Sequence, residues 1–206
     1  MSTVQSRIYL ASQSPRRREL LKQIGINFEM LLLRNDPRRK IDVDETPQGN
    51  EAPADYVQRI CRAKATAAWD VLLARNLRPL PVLAADTTVT VDNRIIGKPR
   101  DQEESAATLR ELSGRQHQVL SAVAVAFEER VELRLSTTTV TFATLDEERI
   151  RRYLRTNEGH DKAGAYGIQG HAGAFVQRIE GSYSGVMGLP LCETVELLRA
   201  FSYPVP

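Results

Sequence analysis

The chain has 206 residues, 42% hydrophobic and 26% charged, with a formal net charge of +2. That length and composition suit an ordinary globular fold that buries its own core without disulfides or metals, and they predict a single domain over 1–206. The small charge and an aromatic content of 6% without a stacking pattern argue against a nucleic-acid binder, and no apolar run is long enough to span a bilayer.

In chain order, Ile8 to Ala11 is a short apolar run that reads as a buried strand. Ser12 to Ser14 is a turn, Pro15 suits the first position of a helix, and Gly25 ends that helix. Phe28 to Leu33 is a second apolar run. Arg34 to Pro53 is polar, carries four Pro or Gly punctuators, and reads as a long loop. Ala54 to Arg75 predicts a long helix with Val57, Ile60, Cys61 and Val71 on one side. Leu80 to Ala85 predicts a buried strand, continued or paired by Thr88 to Val91, with a turn at Asp92-Asn93. Asp101 to Leu112 predicts a helix capped by Asp101 and followed by Gly114. Val119 to Phe127 and Val131 to Phe142 predict a long hairpin. Asp146 to Arg155 predicts a helix, Ala174 to Ile179 a strand, and Pro190 to Phe201 the last helix. Gly181 to Pro190 reads as turns, with Tyr183 as a packing residue. This alternation predicts an α/β fold with a mixed sheet and flanking helices.

Cys61 and Cys192 form no CxxC pair and read as small buried side chains in a reducing compartment. The start MSTVQSRIYLAS has no basic region leading into an apolar stretch, so no signal peptide is expected and a cytoplasmic location is.

Three stretches carry the candidate chemistry. Residues 161–170 read DKAGAYGIQG, and each glycine costs about 0.5–1 kcal/mol inside a regular element. Such a backbone suits close approach to a ligand, with the Gln169 amide set to read a polar edge; the alternative is a surface loop with tight turns. Ser14-Pro15-Arg16-Arg17-Arg18 puts cations where the helix dipole disfavours them. An anion held by free N–H groups, Ser12, Ser14 and arginine forks would resolve that conflict. Arg16 and Arg17 are read as phosphate ligands, and Arg18 as a solvated side chain. Asp86, at the end of an apolar strand and followed by Thr87, stands where open α/β sheets place their ligand crevice. It suits a general base, a metal ligand or a turn cap.

Lys98, in GKPRD, suits phosphate neutralisation or plain solvation. Lys64 is a similar candidate for phosphate binding, and either snorkels from its helix or faces a cleft. Asp44 and Glu45 are adjacent acids, suited to solvent or to a metal beside a polyphosphate. His117, His160 and His171 have no metal-ligand spacing, and neither a Walker A nor a GxGxxG pattern is present.

Taken in order, ASQSPRR, AADTTV, GKPRD, LSGRQHQV, DKAGAYGIQG and GSYSGVMGLPL closely resemble the Maf family of nucleoside triphosphate pyrophosphatases, from Ile8 to Phe201. The resemblance implies a fold akin to the inosine triphosphate pyrophosphatases, with two lobes around a cleft. It implies hydrolysis of a nucleotide to the monophosphate and pyrophosphate, with Asp86 as proton acceptor and Arg16, Thr87 and Gln169 tuning base choice. The GAYGIQG form looks like the branch acting on dTTP and UTP, whose base edge a glutamine amide matches as both donor and acceptor. The resemblance also implies a divalent cation, Mg2+, with Asp86 and Glu45 or Asp44, and it suggests a homodimer. The family's association with inhibition of cell division offers an alternative, a nucleotide-binding regulator of septation without essential turnover. Two departures stand out: a longer Arg34–Thr46 loop, and Gly185 where a larger residue is usual.

Overall fold

The computed structural model describes residues 7–33 and 43–205; Arg34 and most of the expected Arg34–Thr46 loop lie outside them. Strand β1 (Ile8–Leu10) is apolar and fully buried, as a strand covered on both faces must be. It runs parallel to β2 (Phe28–Met30) on one side and to β3 (Val82–Val91) on the other. Between β1 and β2 lies helix α1 (Pro15–Gln23), whose proline takes the first helical position, where its missing N–H is no loss. Gly25, at φ +71°, ends it in a left-handed conformation open to glycine.

Helix α2 (Pro53–Ala74) buries Val57, Cys61, Ala65, Ala68 and Leu72 at three- and four-residue steps. Leu72 rather than Val71 continues that stripe, because the spacing from Ala68 keeps it in phase. The two apolar runs around Asp86 prove to be one ten-residue strand, β3, and Asp92 and Asn93, both at positive φ, turn it into β4 (Arg94–Ile96). Helix α3 (Gln102–Leu112) begins as anticipated, with the Asp101 carboxylate accepting from Glu104 N at 2.8 Å. The long hairpin is β5 (Gln116–Phe127) with β6 (Arg130–Phe142). Helix α4 (Glu147–Leu154) is capped by Asp146, and β7 (Val176–Glu180) closes the far edge of the sheet.

The turn-rich segment before the last helix holds a single helical turn, α5 (Tyr183–Val186), started by Ser182 Oγ accepting from Gly185 N. Tyr183 is 50% exposed, so it is not the packing residue anticipated. Helix α6 (Leu191–Ala200) buries Thr194, Leu197 and Leu198. Cys192 falls out of phase with them and is exposed, whereas Cys61 is buried as expected.

The sheet order is β2-β1-β3-β5-β6-β7, with β4 beside β3: two parallel pairings in a largely antiparallel sheet, flanked by helices, as the alternation predicts. One face packs on α1 and α6 through Leu10, Leu21, Leu83, Val123 and Leu197. The other face presents Ala84, Ala122, Ala124 and Ala126, small enough to admit α2 closely. A third core, at the end carrying β4, β6 and β7, gathers Val89, Val119, Phe142 and Phe175 with α3 and α4. Among the described residues, no helix is long and apolar enough to cross a membrane.

His117 is sealed in this third core, 2% exposed, with Nε2 2.8 Å from the Tyr166 hydroxyl and its ring edge-on to Phe142. Burial pushes its pKa from 6.5 down to about 4. The folded state therefore stays neutral where the unfolded chain takes up a proton, so stability is lost as pH falls from about 6.5 to about 4, by up to about 3 kcal/mol. Melting curves between pH 7.5 and 5 should show that fall, and His117→Gln should flatten it. Parallel pH profiles for the two proteins would contradict this assignment.

Candidate active site

The site grows from an interruption in the sheet. Strand β1 pairs with β3 only as far as Leu83, and β4 takes up the same edge from Val89. Between them, residues 84–88 are paired on the β5 side alone. Asp86 and Thr87 lie in that gap, beside the point where β1 ends and the chain turns into α1. Such a break beyond the carboxyl end of a parallel strand is where α/β sheets leave room for a ligand.

Alternation along β3 sends the two side chains to opposite faces. Asp86, 8% exposed, points to the α2 side, where Lys64 Nζ lies 2.7 Å from its Oδ1. The same ammonium is 2.7 Å from Glu45 Oε1, so one lysine joins two carboxylates. Burial alone would lower the Lys64 pKa, but Asp86 and Glu45 together raise it. Burial likewise works against the Glu45 carboxylate, and Lys64, then Lys98 and Arg17, outweigh it and lower its pKa. Lys98 itself is exposed. Lys64 thus turns to two carboxylates instead of snorkelling to solvent.

Of the adjacent acids, Glu45 joins this cluster and Asp44 does not: Asp44 is exposed and accepts from Thr46 N at 2.9 Å, a local turn that takes up its carboxylate. The segment around Glu45 is tied to α2 by Tyr56 Oη donating to Glu45 O at 2.9 Å and by Arg59, which donates to Thr46 O and to both Glu51 oxygens. Those anchors carried no motif in the sequence. Among the described residues, no group of three or more His, Cys, Asp or Glu is placed to hold a metal ion by itself. The hard-oxygen pair of Asp86 and Glu45 still suits a cation that shares its coordination with phosphates.

On the opposite face, Arg17 is held by the protein itself. Its guanidinium donates from Nε to Gly188 O at 2.7 Å, from Nη1 to Ala85 O at 2.8 Å and Ser12 Oγ at 3.2 Å, and from Nη2 to Thr87 Oγ1 at 3.3 Å. Four of its five N–H donors are therefore taken by the protein, and it is not a free phosphate fork. Burial pushes its pKa down, against the opposing pull of Asp86. The unfavourable charge at the start of α1 is relieved, for this residue, by carbonyl oxygens. Ser12 is buried and also accepts from Ser14 N at 3.2 Å, while Ser14, at the N-cap, makes no side-chain capping bond. Arg16 is half-buried, and its charge acts on Asp161 in the glycine segment. The Thr87 hydroxyl, on the other face of β3 from the Asp86 carboxylate, lies 2.9 Å from Ser121 Oγ.

The glycine segment holds one short 3-10 turn, Ala163–Ala165, and leads into a second, His171–Phe175. Gly164, at φ +75°, donates to Gly97 O at 3.2 Å and so joins this segment to the loop bearing Lys98. Its organiser is Glu158, which sequence reasoning missed. The Glu158 carboxylate accepts from His171 N at 2.8 Å, and a Cβ on Gly170 would collide with it. Part of the glycine content thus serves this packing. Gln169 is exposed and has no side-chain hydrogen bond among the described residues.

Asp86 thus lies in the middle of β3 and not at a strand end as anticipated; a carboxylate bridged by a lysine to a second acid, beside a basic helix start and a glycine-rich turn, is an arrangement suited to a polyanion and a cation. The family model described as Maf-like protein matches residues 7–201, and the chain belongs to that family. It is 56% identical over 192 residues to the dTTP/UTP pyrophosphatase of Nitrosomonas europaea, covering 93% of each chain. It is 52% identical over 206 residues to the dTTP/UTP pyrophosphatase of Aromatoleum aromaticum, covering 100% of both. The solved structure of the Staphylococcus aureus Ham1 protein aligns with a TM-score of 0.49 at 14% identity, over 96% of this chain and 98% of that one.

Removing the shared cation tests the cluster. Lys64→Met should destabilise the fold by on the order of 1–3 kcal/mol near pH 7, because two carboxylates are left facing each other. The lowered Glu45 pKa means its pairing stabilises the fold above about pH 4.5 and is lost as pH falls through the lowered value. The raised Lys64 pKa keeps its share intact until pH rises past about 10.5. The deficit of the variant should therefore shrink in acid; an equal melting deficit at pH 7 and pH 4 would overturn the pairing.

Proposed function

We propose that this chain hydrolyses dTTP and UTP to the nucleoside monophosphate and pyrophosphate, acting on the cytoplasmic nucleotide pool. The observation that carries the proposal is the Lys64-bridged pair of Asp86 and Glu45 at the break in the sheet. The names of the full-length relatives, dTTP/UTP pyrophosphatase, support the substrate choice.

In this reading, a water is held against Asp86, which accepts its proton as the oxygen attacks the α-phosphorus. The bond from that phosphorus to the oxygen bridging the α- and β-phosphates breaks, and pyrophosphate leaves. Two carboxylates against one ammonium leave a net charge of −1 at neutral pH, a hard-oxygen site that fits magnesium, which takes one or two carboxylates together with substrate phosphates. Asp86 and Glu45 would hold it, and its chemistry is to offset charge on the phosphate oxygens. Lys98 and Arg16 supply positive charge for the phosphates, with Ser12 and Ser14 at the start of α1. Arg17 holds the wall of the site and acts on phosphate only through the field of its charge. The Gln169 amide, free of intramolecular bonds among the described residues, is available to pair with O4 and N3–H of uracil or thymine.

Incubation with dTTP, UTP, dCTP, ATP and GTP in the presence of magnesium, with products separated by chromatography, tests the reaction. Pyrophosphate from dTTP and UTP is expected, and release of orthophosphate would sink the reaction type. Asp86→Asn should lower turnover by at least about 10²-fold with the fold intact. Gln169→Glu should lower kcat/KM for dTTP and UTP by at least about tenfold. An unchanged preference for these two over purine nucleotides would remove Gln169 from base recognition.

A further inference from the structure

We infer that Ser121, in the middle of β5, is a positioning residue that fixes the hydroxyl direction of Thr87 and, through it, the Arg17 wall of the site. The inference rests on the function proposed above for its kinetic readout, and on hydrogen-bond geometry alone for its structural one.

Ser121 is fully buried and stands directly opposite Thr87 in the β3–β5 ladder. Its Oγ lies 2.6 Å from Gly185 O, and a carbonyl only accepts, so the single hydroxyl hydrogen of Ser121 is committed there. Thr87 Oγ1 is 2.9 Å from Ser121 Oγ. With the serine hydrogen spent, the bond between them has to be donated by Thr87. The competing acceptor, Gly188 O, is at 3.5 Å and already receives Arg17 Nε at 2.7 Å. The hydrogen of Thr87 therefore points into the protein, and its lone pairs face outward, where Arg17 Nη2 donates at 3.3 Å.

A threonine hydroxyl ordinarily rotates to suit its partner. Here it is locked as an acceptor on the side of Arg17. A ligand group reaching Thr87 would have to be a donor, such as the N3–H of uracil or thymine shared between the Thr87 hydroxyl and the Gln169 carbonyl, and a bare ring nitrogen in that place would meet lone pair against lone pair. Ser121 thus acts on discrimination without touching the ligand. The same chain continues to the turn after β7: Gly185 N donates to Ser182 Oγ at 3.0 Å, and Ser182 N donates to Thr138 Oγ1 at 2.9 Å. The backbone that accepts the serine hydrogen is thereby held in place.

The test is a double-mutant cycle of Ser121→Ala, Thr87→Val and the pair, reading kcat/KM for dTTP and dCTP and the melting temperature of each protein. Releasing the Thr87 hydroxyl should narrow the preference for dTTP over dCTP by about threefold or more. In the Thr87→Val background, Ser121→Ala should change that ratio no further. Independent, multiplicative effects on the ratio would overturn the inference whatever the melting temperatures do. Ser121→Cys, which keeps a side chain but donates weakly, gives the same cycle if the alanine variant does not fold. If the wild type turns over no nucleotide, the proposed function fails by itself. The melting temperatures then decide the inference: non-additive losses support the Ser121–Thr87 link, and additive losses remove it.

Discussion

The buried guanidinium of Arg17 is the interaction on which the site's architecture depends. It reaches three separate parts of the chain: the turn after β1 through Ser12, the unpaired edge of β3 through Ala85 and Thr87, and the turn after α5 through Gly188. A sheet that stops pairing in its middle leaves backbone acceptors without partners, each costing about 1–3 kcal/mol if buried and unmet. A rigid planar fork with five donors meets that demand where a lysine could not. The gap in the sheet can therefore persist as an open place instead of collapsing into an ordinary ladder.

Charge in the site follows from that opening. Asp86 and Glu45 converge on Lys64 from a strand and a loop, and Arg17 and Lys98 add positive potential from outside the pair. Burial opposes ionisation of both Lys64 and Glu45, and the attraction between opposite charges prevails in each. Such a cluster stays charged through the neutral range while retaining an excess acid, which suits work on a phosphate chain with a bound cation. The two faces of β3 divide the labour proposed here: Asp86 and the cation on the α2 side, Thr87 and Arg17 on the other.

Much of the fold was legible because its signals are local. Pro15, Gly25, Asp101 and Asn93 each mark a boundary through backbone chemistry alone, and the apolar runs of β3, β5 and β6 are too regular to mistake. Asp86, Lys64 and Glu45 were legible as candidates, but their convergence was not, since it joins Lys64 to residues 19 and 22 positions away. Arg17 was read as a free ligand because sequence shows a cation at a helix start and not the carbonyls, up to 171 residues away, that surround it. Glu158 and Ser121 carried no motif at all. Their roles arise from three-dimensional packing: Glu158 fills the space left by Gly170, and Ser121 spends its hydrogen on Gly185. Cys192 and Tyr183 were misread because composition gives a residue's tendency, while exposure is decided by the phase of a short helix.

In the proposed reaction Asp86 directs water to the α-phosphorus of the nucleotide. Hydrolysis of dTTP in water enriched in oxygen-18, with mass analysis of both products, tests it most directly. One labelled oxygen is expected in dTMP and none in the pyrophosphate. Label in the pyrophosphate would place the attack at the β-phosphorus and contradict the arrangement around Asp86.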